Sequence, residues 1–91
     1  MTKNTIISFI TRKGEVVLTG HYSDLPKMLT KVREEAKLTQ TQVAEKMKIS
    51  NQYISQAEGA FKNTKYNVTI HPLWIRRFLM ACGKNYKIEI K

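Results

Sequence analysis

Between Thr39 and Glu58 the chain reads Thr-Gln-Thr-Gln-Val-Ala-Glu-Lys-Met-Lys-Ile-Ser-Asn-Gln-Tyr-Ile-Ser-Gln-Ala-Glu, and this stretch leaves few folds open. Gln42 to Met47 has a short helical pattern, with Val43, Ala44 and Met47 at i, i+1 and i+4. Thr39 is placed to cap that helix. Ser50 offers the N-cap of a second helix, because its hydroxyl accepts from an unpaired first-turn amide. Tyr53, Ile54 and Ala57 supply the second helix's apolar stripe. Only Lys48 and Ile49 lie between the first helix and the second cap. Two helices joined this tightly must cross steeply, as in a helix-turn-helix. Ala44 is small where they would cross. Val43, Met47, Ile49 and Ile54 are apolar where the pair would face its own core.

The outward face of the second helix has a different chemistry. Asn51, Gln52, Ser55 and Gln56 are polar, uncharged and able both to donate and to accept. Such groups suit base edges in a major groove, where Asn and Gln amides pair bidentately with adenine. The expected base-reading set is therefore Ser50, Asn51, Gln52, Ser55 and Gln56, with Gln52 first. Gln40 and Thr41 begin the first helix, where unpaired amides and the positive dipole end make a phosphate seat.

The pattern resembles the DNA-binding domain of the Xre/Cro/phage-repressor family. The residues that carry the resemblance are Leu38-Thr39-Gln40, Val43-Ala44-Glu45-Lys46-Met47, Ile49-Ser50, Tyr53-Ile54-Ser55 and Glu58-Gly59. It extends over roughly Leu25 to Gly83 and places a phosphate contact at Gln40. Lys48 departs from the pattern, standing where the family usually has a turn glycine with positive φ. Ala57 departs too, replacing a larger apolar residue.

The 91 residues are expected to form one domain, and a chain this short has a small core. The formal charge is +9 and the pI about 9.9, an excess that favours polyanions. Charge alone does not separate DNA from RNA or an anionic membrane; the two-helix pattern makes that choice. The single cysteine, Cys82, permits no disulfide within the chain and fits a reducing compartment. No run reaches the roughly 18 apolar residues of a membrane span, and no secretory signal is visible. A cytoplasmic protein is expected.

Residues 1–22 read as a β-hairpin extension. Thr5 to Ile10 and Glu15 to Thr19 are rich in β-branched residues, and Gly14 supplies the turn. Gly20-His21-Tyr22 breaks the strand pattern. Ser23 or Asp24 then caps a helix with Pro26 in its first turn. Leu25, Met28, Leu29, Val32 and Ala36 give that helix one buried stripe, and its outer face is mixed in charge. Arg33 or Lys37 is within reach of a phosphate near its end. Residues 23–83 form the helical core. Gly59 is expected to end the second motif helix in a left-handed cap. The connection that follows alternates basic and aromatic residues, with Lys62 and Lys65 as further phosphate contacts and Phe61 and Tyr66 as anchors. Thr69 or His71 opens the last helix, whose wide apolar face comprises Leu73, Trp74, Ile75, Phe78, Leu79 and Cys82; Gly83 ends it.

Residues 84–91 are a terminal strand, with Tyr86, Ile88 and Ile90 alternating with Lys87, Glu89 and Lys91. It needs a partner: the hairpin, a two-fold mate, or both. The helix-then-strand ending resembles HipB-type antitoxins of the same family, and that resemblance implies dimerisation through Lys87, Ile88, Glu89 and Ile90. Trp74, on the wide apolar face of the last helix, reads as an interface or core anchor, and the expected dimerisation set includes it.

The expected fold is mostly α: a lambda-repressor-like core of about four helices, an added N-terminal β-hairpin and a C-terminal strand. The expected function is sequence-specific binding of double-stranded DNA by a homodimeric repressor at an inverted repeat. It is either the antitoxin of a toxin–antitoxin pair or a stand-alone phage or mobile-element autorepressor. A protein-binding adaptor is the alternative from another class, but it would show an exposed apolar patch where Asn, Gln and Ser stand. An RNA-binding role lacks a stacking platform beyond Tyr53, Phe61 and Tyr66. His21 and His71 have no Cys or carboxylate at ligand spacing, Asp24 is the only aspartate, and no phosphate loop or activated nucleophile is visible. No metal, cofactor or enzyme activity is expected, and Cys82 reads as a buried, inert thiol.

Overall fold

A computed structural model describes residues 5–59 and 71–91. A hairpin, four helices and a last strand follow one another: β1 (Ile6–Ile10), β2 (Val16–His21), α1 (Leu25–Glu35), α2 (Gln40–Met47), α3 (Asn51–Gly59), α4 (Pro72–Ala81) and β3 (Lys87–Ile90). This is the expected mostly helical architecture. The three strands make one antiparallel sheet in the order β2-β1-β3, so the last strand pairs with the first within the chain.

Alternation along β1 explains the layer beneath the sheet. Ile7 and Phe9 point to one face and are fully buried, while Ser8 points to the other and meets Thr19 across β2 at 2.9 Å. The helices cover the Ile7–Phe9 face. Leu25, Leu29, Ile54, Ile75, Phe78 and Leu79 are also fully buried, each worth about 1.5–3 kcal/mol of transfer from water. Cys82 completes this core, and burial pushes its thiol up to about 11, as expected of an inert group.

Four details differ from the sequence reading. First, β2 does not stop at Thr19; Gly20 pairs with Ile7 and His21 with Ile6. Gly20 lies where α1 crosses the sheet. A Cβ on it would sit 3.2 Å from Met28 Sδ, so the glycine permits close packing rather than breaking the strand. Second, Asp24 does not cap α1 with its side chain; its Oδ2 accepts from His21 N and closes a short 3₁₀ turn at Tyr22–Asp24. Third, Gly59 is the last helical residue of α3 and has no positive φ, so the expected left-handed cap is not formed there. Fourth, Leu73 is 56 % exposed and leaves the apolar face of α4, which rests on Ile75, Phe78 and Leu79.

Three helices end alike. The chain turns left-handed one or two residues past the helix, and two amides reach back to the last carbonyls. Lys37 N donates to Glu34 O and Leu38 N to Arg33 O; Lys48 N donates to Glu45 O and Ile49 N to Ala44 O; Gly83 N donates to Met80 O and Lys84 N to Leu79 O. The turning residues have φ of 58°, 58° and 76°. The departure at Lys48 is thus accommodated by a lysine in the glycine conformation.

Candidate nucleic-acid interface

The α2–α3 unit is built from local hydrogen bonds. Thr39 Oγ1 accepts from Gln42 N at 3.1 Å, and Gln42 Oε1 accepts from Thr39 N at 2.8 Å, a reciprocal cap that starts α2. Ser50 Oγ accepts from Tyr53 N at 3.3 Å and starts α3. Between them, Lys48 in the left-handed conformation turns the chain within two residues. Ala44 and Val43 are buried at the crossing, with Ile54 and Ala57 opposite, while Met47 and Ile49 are half-buried beside them.

With Ile54 and Ala57 turned inward, helical geometry fixes what turns outward. Asn51, Gln52, Ser55 and Gln56 share the opposite face, and all four are exposed. None of their side chains has a hydrogen-bond partner among the described residues. Ser50, also exposed, adjoins them at the cap. The structure therefore brings the five expected base-reading residues together at one end and along one face of α3.

Of the expected phosphate contacts, Thr41 is exposed at the start of α2. Gln40 is placed differently: its Nε2 donates to Glu58 Oε1 at 3.3 Å. Lys62 and Lys65 lie outside the described residues, as do Phe61, Tyr66 and Thr69. His71 caps α4, its Nδ1 accepting from Leu73 N at 3.1 Å.

Glu58 is the residue whose role sequence reasoning missed. Arg33 grips it with two nitrogens, Nε to Oε2 at 2.7 Å and Nη2 to Oε1 at 2.9 Å, while Nη1 donates to Leu38 O at 2.8 Å. Thr30 Oγ1 lies 3.0 Å from Glu58 Oε1 and 2.9 Å from Pro26 O, its one proton serving either acceptor. The two charged side chains are only 14 % and 4 % exposed. The hydrogen bonds from Arg33 to Glu58 hold the guanidinium pKa above its ordinary value. All three guanidinium nitrogens are thereby engaged, so Arg33 is not the free phosphate contact that its position near the end of α1 suggested. The signal was present: Glu58 falls one turn after Ile54 on the buried stripe of α3, where the period calls for an apolar residue.

Trp74 lies against the motif, its ring 5.6 Å from those of Tyr53 and Phe78, so α4 braces α3 through an aromatic row. Its Nε1 is buried with no partner among the described residues. Lys87, Ile88, Glu89 and Ile90 lie elsewhere, along an outer edge of the sheet.

A family model described as Helix-turn-helix matches residues 29–58. The match begins in α1 and takes in α2 and nearly all of α3. It supports the Xre/Cro-type resemblance and, in general terms, a DNA-binding regulator. No curated protein and no solved structure matches the chain. Among the described residues there is no group of three or more His, Cys, Asp or Glu able to hold a metal ion, and no helix long and apolar enough to cross a membrane.

Proposed function

We infer that the protein reads a specific DNA sequence as a homodimer and represses transcription from an inverted-repeat operator. The observation that carries this is the α3 face of Asn51, Gln52, Ser55 and Gln56, exposed, uncharged and without partners among the described residues. In the major groove, Gln52 reads a base, with Ser50, Asn51, Ser55 and Gln56 beside it. The α2 N-terminus, with Thr41 and the amide of Gln40, sits on phosphate; Lys62 and Lys65 add further phosphate contacts, which position the protein without carrying sequence information. In a two-fold dimer the paired α3 helices lie about 34 Å apart, one turn of DNA. A protein-binding adaptor is disfavoured because the outward face of α3 is polar apart from half-exposed Tyr53. The helix-then-strand ending supports the antitoxin role over the stand-alone autorepressor. In that case a toxin encoded beside the gene, co-expressed with this chain, forms a stable complex with it and loses its toxicity.

Selection from a library of genomic DNA fragments tests the reading. One inverted repeat is expected to be enriched. Gln52→Ala then lowers affinity by about 1–3 kcal/mol and relaxes preference at one position in each half-site. Weak binding that ignores both sequence and this substitution would reduce the interaction to the +9 charge and end the operator reading.

A further inference from the structure

Tyr53 stands at a boundary on α3. Three residues on, Gln56 is exposed; four residues on, Ala57 is buried. At about 100° per residue, Tyr53 lies about 60° around the helix from Gln56 and about 40° from Ala57. Its ring meets Trp74, so it flanks the outward face of α3 on the side toward α4. It is also the third residue of the helix, in the turn that Ser50 opens by accepting from its backbone amide.

The ring is held from behind. Trp74 lies 5.6 Å from it at an interplanar angle of 38°, and Phe78 lies 5.6 Å from Trp74 at 30°. Phe78 is fully buried, so the row runs outward from the core and ends at Tyr53, which is 47 % exposed. A ring without a hydroxyl would complete this row equally well. The Tyr53 hydroxyl is therefore the part that the row does not use, and it has no hydrogen-bond partner among the described residues. Tyrosine has only two side-chain torsions, and stacking already restrains them, so little freedom is lost when the hydroxyl meets a partner.

The dimensions of DNA say what that partner is. A helix with its side chains is about 10–12 Å across, and the major groove is about 12 Å wide. A helix that turns Gln52, Ser55 and Gln56 to the base edges sets its flanks against the groove walls, and those walls are sugar and phosphate. Phosphate oxygens only accept, and a tyrosine hydroxyl can donate to them.

We propose that the Tyr53 hydroxyl donates to a phosphate oxygen on the groove wall nearest α4, with Trp74 and Phe78 as its buttress, and so fixes the rotation of α3 in the groove. The proposal rests on the operator reading above and adds a contact to the same interface. The contact differs from the phosphate seat at the start of α2 in lying on the reading helix itself. It sets the aim of Gln52 without reading a base.

Tyr53→Phe removes the hydroxyl and keeps the ring on Trp74. Binding to the enriched operator and ethylation interference on the same fragment test the contact. The variant is expected to bind about tenfold more weakly. The loss should be equal on the operator and on its single-base variants, and the salt dependence unchanged, because no charge is removed. Ethylating one particular phosphate in each half-site should impair the wild type and make no difference to the variant. The urea midpoint should stay where it is. Equal affinities or identical interference patterns would overturn the proposal. So would a preference relaxed at one base position, which would make Tyr53 a base reader, or a lowered urea midpoint, which would place the hydroxyl in a bond within the protein. Failure of the operator reading is told apart as follows. If an inverted repeat is enriched and the variant matches the wild type on it, the Tyr53 contact falls alone. If no fragment is enriched, the operator reading falls, and one arbitrary duplex decides the contact: it stands if the variant still binds about tenfold more weakly and falls if the two bind alike.

Discussion

Lys48 and Lys37 hold backbone conformations that cost an L-residue about 1–2 kcal/mol and glycine almost nothing. Each ends a helix whose carbonyls are already satisfied by the amides that follow, so the left-handed turn is imposed by capping rather than chosen by the lysine. Replacing either lysine by glycine relieves the backbone but gives the unfolded chain more freedom to lose. The net expectation for Lys37→Gly and for Lys48→Gly is a gain of about 0.5–1 kcal/mol each, read as a shifted urea midpoint at unchanged slope. A loss at either position would mean that the lysine side chain makes a stabilising contact at the turn.

At the scale of elements, Glu58 ties three helices at one point: α3 carries it, α1 supplies Arg33 and Thr30, and α2 supplies Gln40. Removing one partner of so enclosed a pair leaves the other charge stranded. Glu58→Ala is expected to cost about 3 kcal/mol, measured by equilibrium unfolding. Glu58→Gln should cost less, because it keeps an acceptor for Arg33 and Thr30. How much could be read beforehand follows from this element. The α2–α3 motif was legible because its information is local: Thr39 with Gln42, Ser50 with Tyr53, and an apolar period interrupted by two residues. The outward face of α3 followed once its inward face was known. The hydrogen bond from Gln40 to Glu58 was not legible because the two meet across space, α2 to α3. Gly20 misled because a glycine reads alike whether it ends a strand or admits a crossing helix. Leu73 misled because period alone does not say how wide a helix face the core covers.

For the whole molecule, charge and shape contribute separately. The excess of +9 acts on any polyanion, whereas the base reading proposed for the α3 face depends on register. Against the enriched operator, the logarithm of the binding constant should fall linearly with the logarithm of salt concentration, by about 0.9 per phosphate contact. Gln52→Ala should lower the line without changing its slope, because that residue carries no charge. A changed slope in a titration from low to moderate salt would place Gln52 among the groups that organise phosphate contacts. The pairing of Ile7 with Ile90 has a further consequence, in time rather than in space. During synthesis the hairpin leaves the ribosome first, and β1 keeps one side open until Lys87 to Ile90 emerge. Every described helix is by then already made, so the sheet closes last. A nascent chain interrupted anywhere before β3 leaves β1 paired on one side only, its backbone groups on the other side turned to water.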